Sequence, residues 1–243
     1  MTIQKQISFL FWILFSLNIF SQDGIVVKYS KGLQDVEITH ENPNIVDQLK
    51  KSSEEMKKNI RRLSYSLLIN NGKSLFSSDP IISTDSHNDR NLGLAISVGQ
   101  GAGTTYVDIN GSKIRSLDAY GEKFLIISNL NDLNWKITEE KKVIQGFQCY
   151  RATTVAEIKN SQGVREILVE AWFSPDLPFP YGPAGYGRLP GLILRLQNGK
   201  YSYNIEKIQF SMNLDEIEKP DKGKTVTQKQ FDEIGARMWE NRG

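Results

Sequence analysis

"SPDLPFPYGPAGYGRLPGLILRLQNGK", Ser174 to Lys200, decides how the rest of the chain is read. Five of the eight prolines fall between Pro175 and Pro190, interleaved with glycines. A clean apolar run, Leu192 to Leu196, then begins without a helix cap. Proline has no N–H to give to a ladder, so the chain after Phe173 is expected to leave its sheet, cross over it and re-enter at Leu192. Stiff residues lower the entropy lost in ordering such a crossing. Pro190-Gly191 suits a type II turn, proline setting φ at the first central position and glycine supplying positive φ at the second.

The flanking sequence reads as strands. Between Val164 and Phe173, Ile167, Val169, Ala171 and Phe173 share one face while Glu166 and Glu170 take the other, the pattern of a sheet with one dry side. Three Asn-Gly pairs, Asn71-Gly72, Asn110-Gly111 and Asn198-Gly199, each separate extended runs and predict type I′ hairpins. Further extended runs cover 25–29, 124–128, 135–138 and 147–155. Helical periodicity is confined to two places. Asn44 to Arg62 puts Ile45, Leu49, Met56 and Ile60 near one face, and Thr227 to Trp239 does the same with Phe231, Ile234 and Met238. The fold class is mainly β (α+β), an antiparallel meander with one or two helices packed on it.

At 243 residues, 39% hydrophobic and 24% charged, the chain fits one well-cored domain. Ile7 to Phe20 is mostly apolar after a start whose only charge is Lys5. About fourteen residues fall short of the twenty or so that span a bilayer and match the core of a secretory signal. Residues 1–22 are therefore read as a signal peptide, cut near Ser21 or Gln22, and 23–243 as a single domain. An uncleaved anchor is the other reading. No cysteine follows the apolar core, which excludes a lipoprotein anchor. The mature balance of 29 basic to 28 acidic groups, net +1 once Lys5 is gone, recruits neither nucleic acid nor anionic membrane by bulk charge. Cys149 is the only cysteine, so no intramolecular disulfide forms; in its strand-like run it reads as a small buried thiol.

Candidate chemistry is sparse. "SVGQGAGT", Ser97 to Thr104, resembles a dinucleotide fingerprint, but Gly99 and Gly101 are followed by Gly103 one place early, and Thr104 to Ile109 alternates like a strand where a helix is required. No nucleotide or other cofactor is expected. Asp85, His87 and Asp89 would share one face of an extended strand and could hold a metal, although the segment is polar throughout and reads as a loop. His40 lies in a polar connection, and no Gly-x-Ser-x-Gly elbow occurs. Glu166 and Glu170 are paired acids on a strand's wet face. No catalytic or metal residue is assigned. The aromatics Trp172, Phe173, Phe179, Tyr181 and Tyr186 leave two readings open: they pack the loop on the sheet, or they line a ligand groove or interaction patch.

"GYGRLPGLILRL" resembles the signature of the GLPGLI family, exported proteins common in Bacteroidetes. Two other segments resemble the same family: Trp135, Lys136, Ile137, Lys142, Ile144, Gly146, Cys149 and Ala152 in one, and Ala171, Trp172, Phe173, Leu177, Pro178, Gly182 and Pro183 in the other. "LLINNGKSLF" resembles a further early run, so the likeness extends over about 63–210. It departs at Arg188, where the signature has its first glycine and Gly187 sits one place upstream. Either the backbone there is ordinary or Gly187 resets the turn. The resemblance implies a curved sheet or half-barrel around one or two helices, similar to periplasmic lipoprotein carriers. It implies an exported protein, periplasmic or associated with the outer membrane, and says less about role; the leading reading of that role is a non-catalytic envelope protein. On that reading the apolar concave side, rimmed by Tyr181 to Leu189, holds a lipid-like ligand. The residues assigned to ligand or partner are Trp172, Phe179, Tyr181, Tyr186, Arg188, Leu189, Pro190, Gly191 and Leu192. The alternatives are an accessory module for an outer-membrane β-barrel and a small secreted hydrolase or metal-dependent enzyme.

Overall fold

The computed structural model describes residues 24–35, 39–80, 93, 95–97, 101–160, 163–211 and 214–240. The expected signal segment, the Asp85, His87 and Asp89 group and Gly99 lie outside the described residues.

In chain order the elements are β1 (Gly24–Leu33), α1 (Pro43–Ile60), β2 (Ser64–Asn70), β3 (Lys73–Ser78), β4 (Thr104–Asp108), β5 (Ser112–Ala119) and β6 (Glu122–Asn129). A 3-10 turn at Leu130–Asp132 leads to β7 (Lys136–Ile144), β8 (Phe147–Asn160), β9 (Gly163–Ser174), β10 (Leu192–Asn198), β11 (Tyr201–Ser211), β12 (Lys224–Thr227) and α2 (Gln228–Glu240). All twelve strands join one sheet, ordered β12-β6-β5-β4-β3-β2-β1-β11-β10-β9-β8-β7. The sheet is thus two meanders, β1 to β6 and β7 to β11, zipped together where β1 pairs with β11. The expected antiparallel pattern holds except at β12, which runs parallel to β6 in the register Lys224↔Phe124 to Thr227↔Ile127.

The sheet is open but strongly curled, and chain length dictates the curl. Only Leu130 to Trp135 connects β6 to β7, which lie ten places apart in the sheet order. Ten flat inter-strand steps would span about 48 Å, whereas the connector reaches about 25 Å at most. The two ends of the sheet must therefore face each other. Register shifts at Lys28/Tyr29, Ile193/Arg195 and Ile137/Lys141 assist the bend.

The inner face carries the main core. Ile25, Val27 and Tyr29 of β1, Tyr65 and Leu67 of β2, Phe76 of β3, Leu196 of β10 and Tyr203 of β11 are all buried. Tyr65 stacks on Phe76 at 5.4 Å and meets Tyr203 edge-on at 5.2 Å. Asn42 caps α1, its side-chain oxygen accepting from the Asn44 N–H at 3.0 Å, and Pro43 occupies the first turn. Met56 and Ile60 reach the core while Ile45 and Leu49 stay exposed, so only the C-terminal half of the expected apolar face packs. Thr227 and Gln230 form a reciprocal capping box on α2, with bonds of 3.2 and 2.8 Å. Phe231 and Ile234 then pack a second small core on Phe124, Ile126 and Val226.

The hairpin expectations hold at one Asn-Gly pair. Asn71 and Gly72 have φ of 48° and 69°, a type I′ turn between β2 and β3. At Asn110-Gly111 only the glycine has positive φ, and Gly111 N–H bonds the Asp108 carbonyl, so Ile109 and Asn110 are the central residues of a wider turn. Asn198 is a strand residue paired with Tyr201, leaving Gly199, at φ 57°, as the first central residue. Two unforeseen turns, Tyr120-Gly121 and Gln145-Gly146, have positive φ at both residues.

Candidate functional site

The segment between β9 and β10 does not cross to a distant strand. It folds out and back as a doubled strap and returns beside the strand it left. Leu192 N–H bonds the Leu177 carbonyl, Ile193 N–H that of Tyr181, and Arg188 N–H that of Pro180. Three prolines each centre a tight three-residue turn. Phe179 N–H bonds Leu177 O, Tyr181 N–H bonds Phe179 O and Gly191 N–H bonds Leu189 O, each at 2.7 Å. Proline's fixed φ suits the centre of such a turn. The Pro190-Gly191 type II turn is thereby replaced: the i to i+3 bond is absent, because Leu192 N–H goes to Leu177. Gly191 is required by close approach, since a Cβ there would collide with the Ser174 carbonyl. Arg188 has φ 68°, so the backbone there is left-handed rather than ordinary, and an arginine holds it.

The strap turns its aromatics inward. Tyr181 donates to the Gly72 carbonyl at 2.6 Å, and the Tyr186 hydroxyl accepts from Asn198 Nδ2 at 3.2 Å. Burial pushes both phenols up to about 12. Trp135 Nε1 donates to the Gly187 carbonyl at 2.9 Å, clamping the connector to the strap. Leu189, Gly191 and Leu192 are buried, Phe179 is half-buried, and Arg188 and Pro190 are exposed. Trp172 is separated from this group by strand alternation. It lies on the outer face of β9, its ring 3.7 Å from Lys142 Nζ, its Nε1 donating to Glu170 at 2.8 Å. Burial works to raise the Glu170 carboxyl, but bonds from Trp172 and Arg151 prevail and hold it low. Tyr181, Ala184, Tyr186 and Leu189 of the strap thus pack into the main core with the inner-face side chains.

Among the described residues an opening lies at the seam, where the two ends of the sheet meet. A cleft of about 460 Å3 is walled by β5 and β6 on one side and β8 on the other, with Ala184 and Tyr186 of the strap at its base. Ile126, Leu130, Leu133 and Val155 supply apolar lining. Lys113 and Arg115 supply charge; they face inward because they pair with Val107 and Thr105, both buried. Lys113 Nζ donates to the Ala184 carbonyl at 3.3 Å and sits 5.4 Å from the Tyr186 ring centroid. Burial, with Arg115 alongside, brings its pKa down to about 8. Burial lowers Arg115 as well, Asp232 partly offsetting it. The guanidinium lies 6.0 Å from the Phe231 ring, and its Nε is buried without a hydrogen-bond partner. Asp132 and Glu157 also line the cleft. These two cations are absent from the sequence-derived site. Their two-residue spacing places them on one face, but only the register shows that face to be the inner one.

Other candidates resolve structurally. Cys149 is fully buried, and burial pushes its thiol up to about 11. His40 is exposed, its Nδ1 accepting from Asn42 N–H. Glu166 is exposed on β9, and Glu170 is engaged by Arg151 and Trp172. Thr104 opens β4, so a strand follows the glycine run. Among the described residues no three His, Cys, Asp or Glu side chains gather as a metal site, and no helix is long and apolar enough to cross a membrane.

Residues 159–195 match a family described as "Protein of unknown function (Porph_ging)". The matched span covers the end of β8, all of β9, the strap and the start of β10. Two crystal forms of PNGF-II share the fold. The form in space group C2 aligns with TM-score 0.51 and 13% identity over 87% of this chain and 32% of that one. The P21 form aligns with TM-score 0.50 and 15% identity over 87% and 33%. The chain spans about a third of the length of the solved structures it matches. No curated protein matches.

Proposed function

We propose that this chain is an exported, non-catalytic binding module of the cell envelope, of the GLPGLI type found in Bacteroidetes, holding a lipid-like ligand in the seam cleft. The observation that carries the reading is the cleft itself: about 460 Å3, apolar on one part of its wall, polar on another, and based on the buried strap. The flank of the strap is proposed rather than the concave side beneath it because Tyr181, Tyr186 and Leu189 are themselves buried. The family reading is supported by the match at 159–195 to a family of unknown function, a span that contains Ala171 to Phe173, Gly182-Pro183 and Leu189 to Ile193 from two of the four segments that carry the resemblance. Export is supported by the apolar run within residues 1–22. Binding is preferred to catalysis because Cys149 is buried with a raised pKa and neither it nor His40 is among the residues that line the cleft.

Native mass spectrometry of the protein extracted gently from its own envelope tests this. A bound mass of lipid size, lost on denaturation, is the expected result. A bare monomer counts against it, and a co-purifying β-barrel membrane protein would favour the accessory reading.

A further inference from the structure

Lys113 and Arg115 form a cationic pair with no ion pair to a carboxylate in the described structure. Taking charges out of water is unfavourable unless a counter-charge and hydrogen bonds replace the lost hydration. Here the ammonium has one carbonyl at 3.3 Å and a ring face, and the guanidinium has a ring face and an unused buried Nε–H. Both project from alternate residues of one strand, about 7 Å apart along it. That spacing suits a ligand group with several acceptor oxygens, which can take hydrogen bonds from an ammonium and a guanidinium together.

We infer that the cleft holds a phosphate-type oxyanion, bridged between the Lys113 ammonium and the Arg115 guanidinium above Ala184 and Tyr186. The inference rests on the cleft being the ligand site. Its apolar wall at Ile126, Leu130, Leu133 and Val155 would take the remainder of an amphiphile, so the oxyanion has two sources, a phospholipid headgroup or free phosphate. The other charged groups around it are Asp132 from the connector, Glu157 from β8 and Asp232 from α2, with the Tyr186 phenol at the base. These three carboxylates oppose a highly charged anion by like-charge repulsion and so favour a headgroup of low charge over a polyanion.

The test titrates the purified protein with three probes: inorganic phosphate, dihexanoyl phosphatidic acid below its micelle threshold, and uncharged dihexanoylglycerol. Calorimetry gives affinity, and the Lys113 side-chain NMR signal gives its titration without any substitution. Phosphatidic acid is expected to bind most tightly and to raise the Lys113 midpoint above about 8. Lys113→Met and Arg115→Met should each weaken it about tenfold or more, with Lys113→Arg retaining most affinity. If inorganic phosphate binds as tightly as the lipid, with the same dependence on Lys113, the oxyanion site stands and the lipid-like ligand falls. If the uncharged lipid binds as well as phosphatidic acid and Lys113→Met changes nothing, the oxyanion inference is overturned while the cleft remains a ligand site. If no probe binds and the Lys113 signal does not move, both are overturned.

Discussion

Arg188 offers a direct measurement of backbone strain. Its φ of 68° places a long side chain in the left-handed region, and its guanidinium, exposed, donates to the Ile109 carbonyl at 3.2 Å. Replacing it with glycine removes a conformational penalty of about 1–2 kcal/mol, while the freer unfolded chain takes back about 0.4–1 kcal/mol. Alanine keeps the penalty and, like glycine, lacks the bond to Ile109. The comparison of Arg188→Gly with Arg188→Ala therefore isolates the backbone, and glycine should be the more stable by about 0.5–1 kcal/mol. At an ordinary helix or strand position the order is reversed by a similar amount. Urea denaturation with a common m-value, supported by thermal melts, reads the difference; in a chain of this size it corresponds to about 1–4 °C in Tm. Arg188→Asn should fall between the two, because asparagine tolerates this region better than alanine. If Arg188→Gly is no more stable than Arg188→Ala, the left-handed assignment at this turn is wrong.

Three further outcomes are expected. Gly191→Ala drives a Cβ into the Ser174 carbonyl and should destabilise by more than about 2 kcal/mol, seen as a lower urea midpoint. Burial lowers Lys31 and Lys113 to about 8, so above that pH the unfolded chain binds more protons than the native state. Stability should accordingly rise from about pH 8 toward pH 10 and then fall as the buried tyrosines, held above 10 by desolvation, lose their advantage over the unfolded chain; flat melting temperatures across pH 7.5–10 would contradict the burial of these lysines. Cys149, buried with its thiol at about 11, should resist a disulfide reagent in the native protein and react at once in denaturant, a contrast that rapid native labelling would erase.

Much of this architecture is legible from local pattern. Alternation in β9, the prolines after Phe173 and the capping residues of both helices are written within a few positions of where they act. Tyr120-Gly121 and Gln145-Gly146 are not legible as turns because tyrosine and glutamine do not announce one; the strand pairing on either side imposes positive φ on them. Asn110 and Asn198 show the converse, good turn residues whose position in the turn is set by register. The strap's stiffness was visible, but its return to β10 depends on backbone bonds such as Leu192 to Leu177 that no spacing reveals. The cleft was hidden for a stronger reason. It is made by two ends of a sheet brought together through the curl, so Lys113, Val155 and Ala184 meet only once every intervening strand is in place.

The pairing of β1 with β11 has a kinetic consequence. Gly24 lies opposite Ser211, joining the start of the described chain to a strand near its end. Each meander can assemble from neighbouring hairpins, whereas the joint between them must wait for Tyr201 to Ser211 to be synthesised. Long-range closure of this kind slows folding relative to local hairpin formation. A chain shortened before Tyr201 would hold two half-sheets with bare edges at β1 and β10. Such a polypeptide can form its hairpins early, but its two half-sheets close into one only once Tyr201 to Ser211 is present.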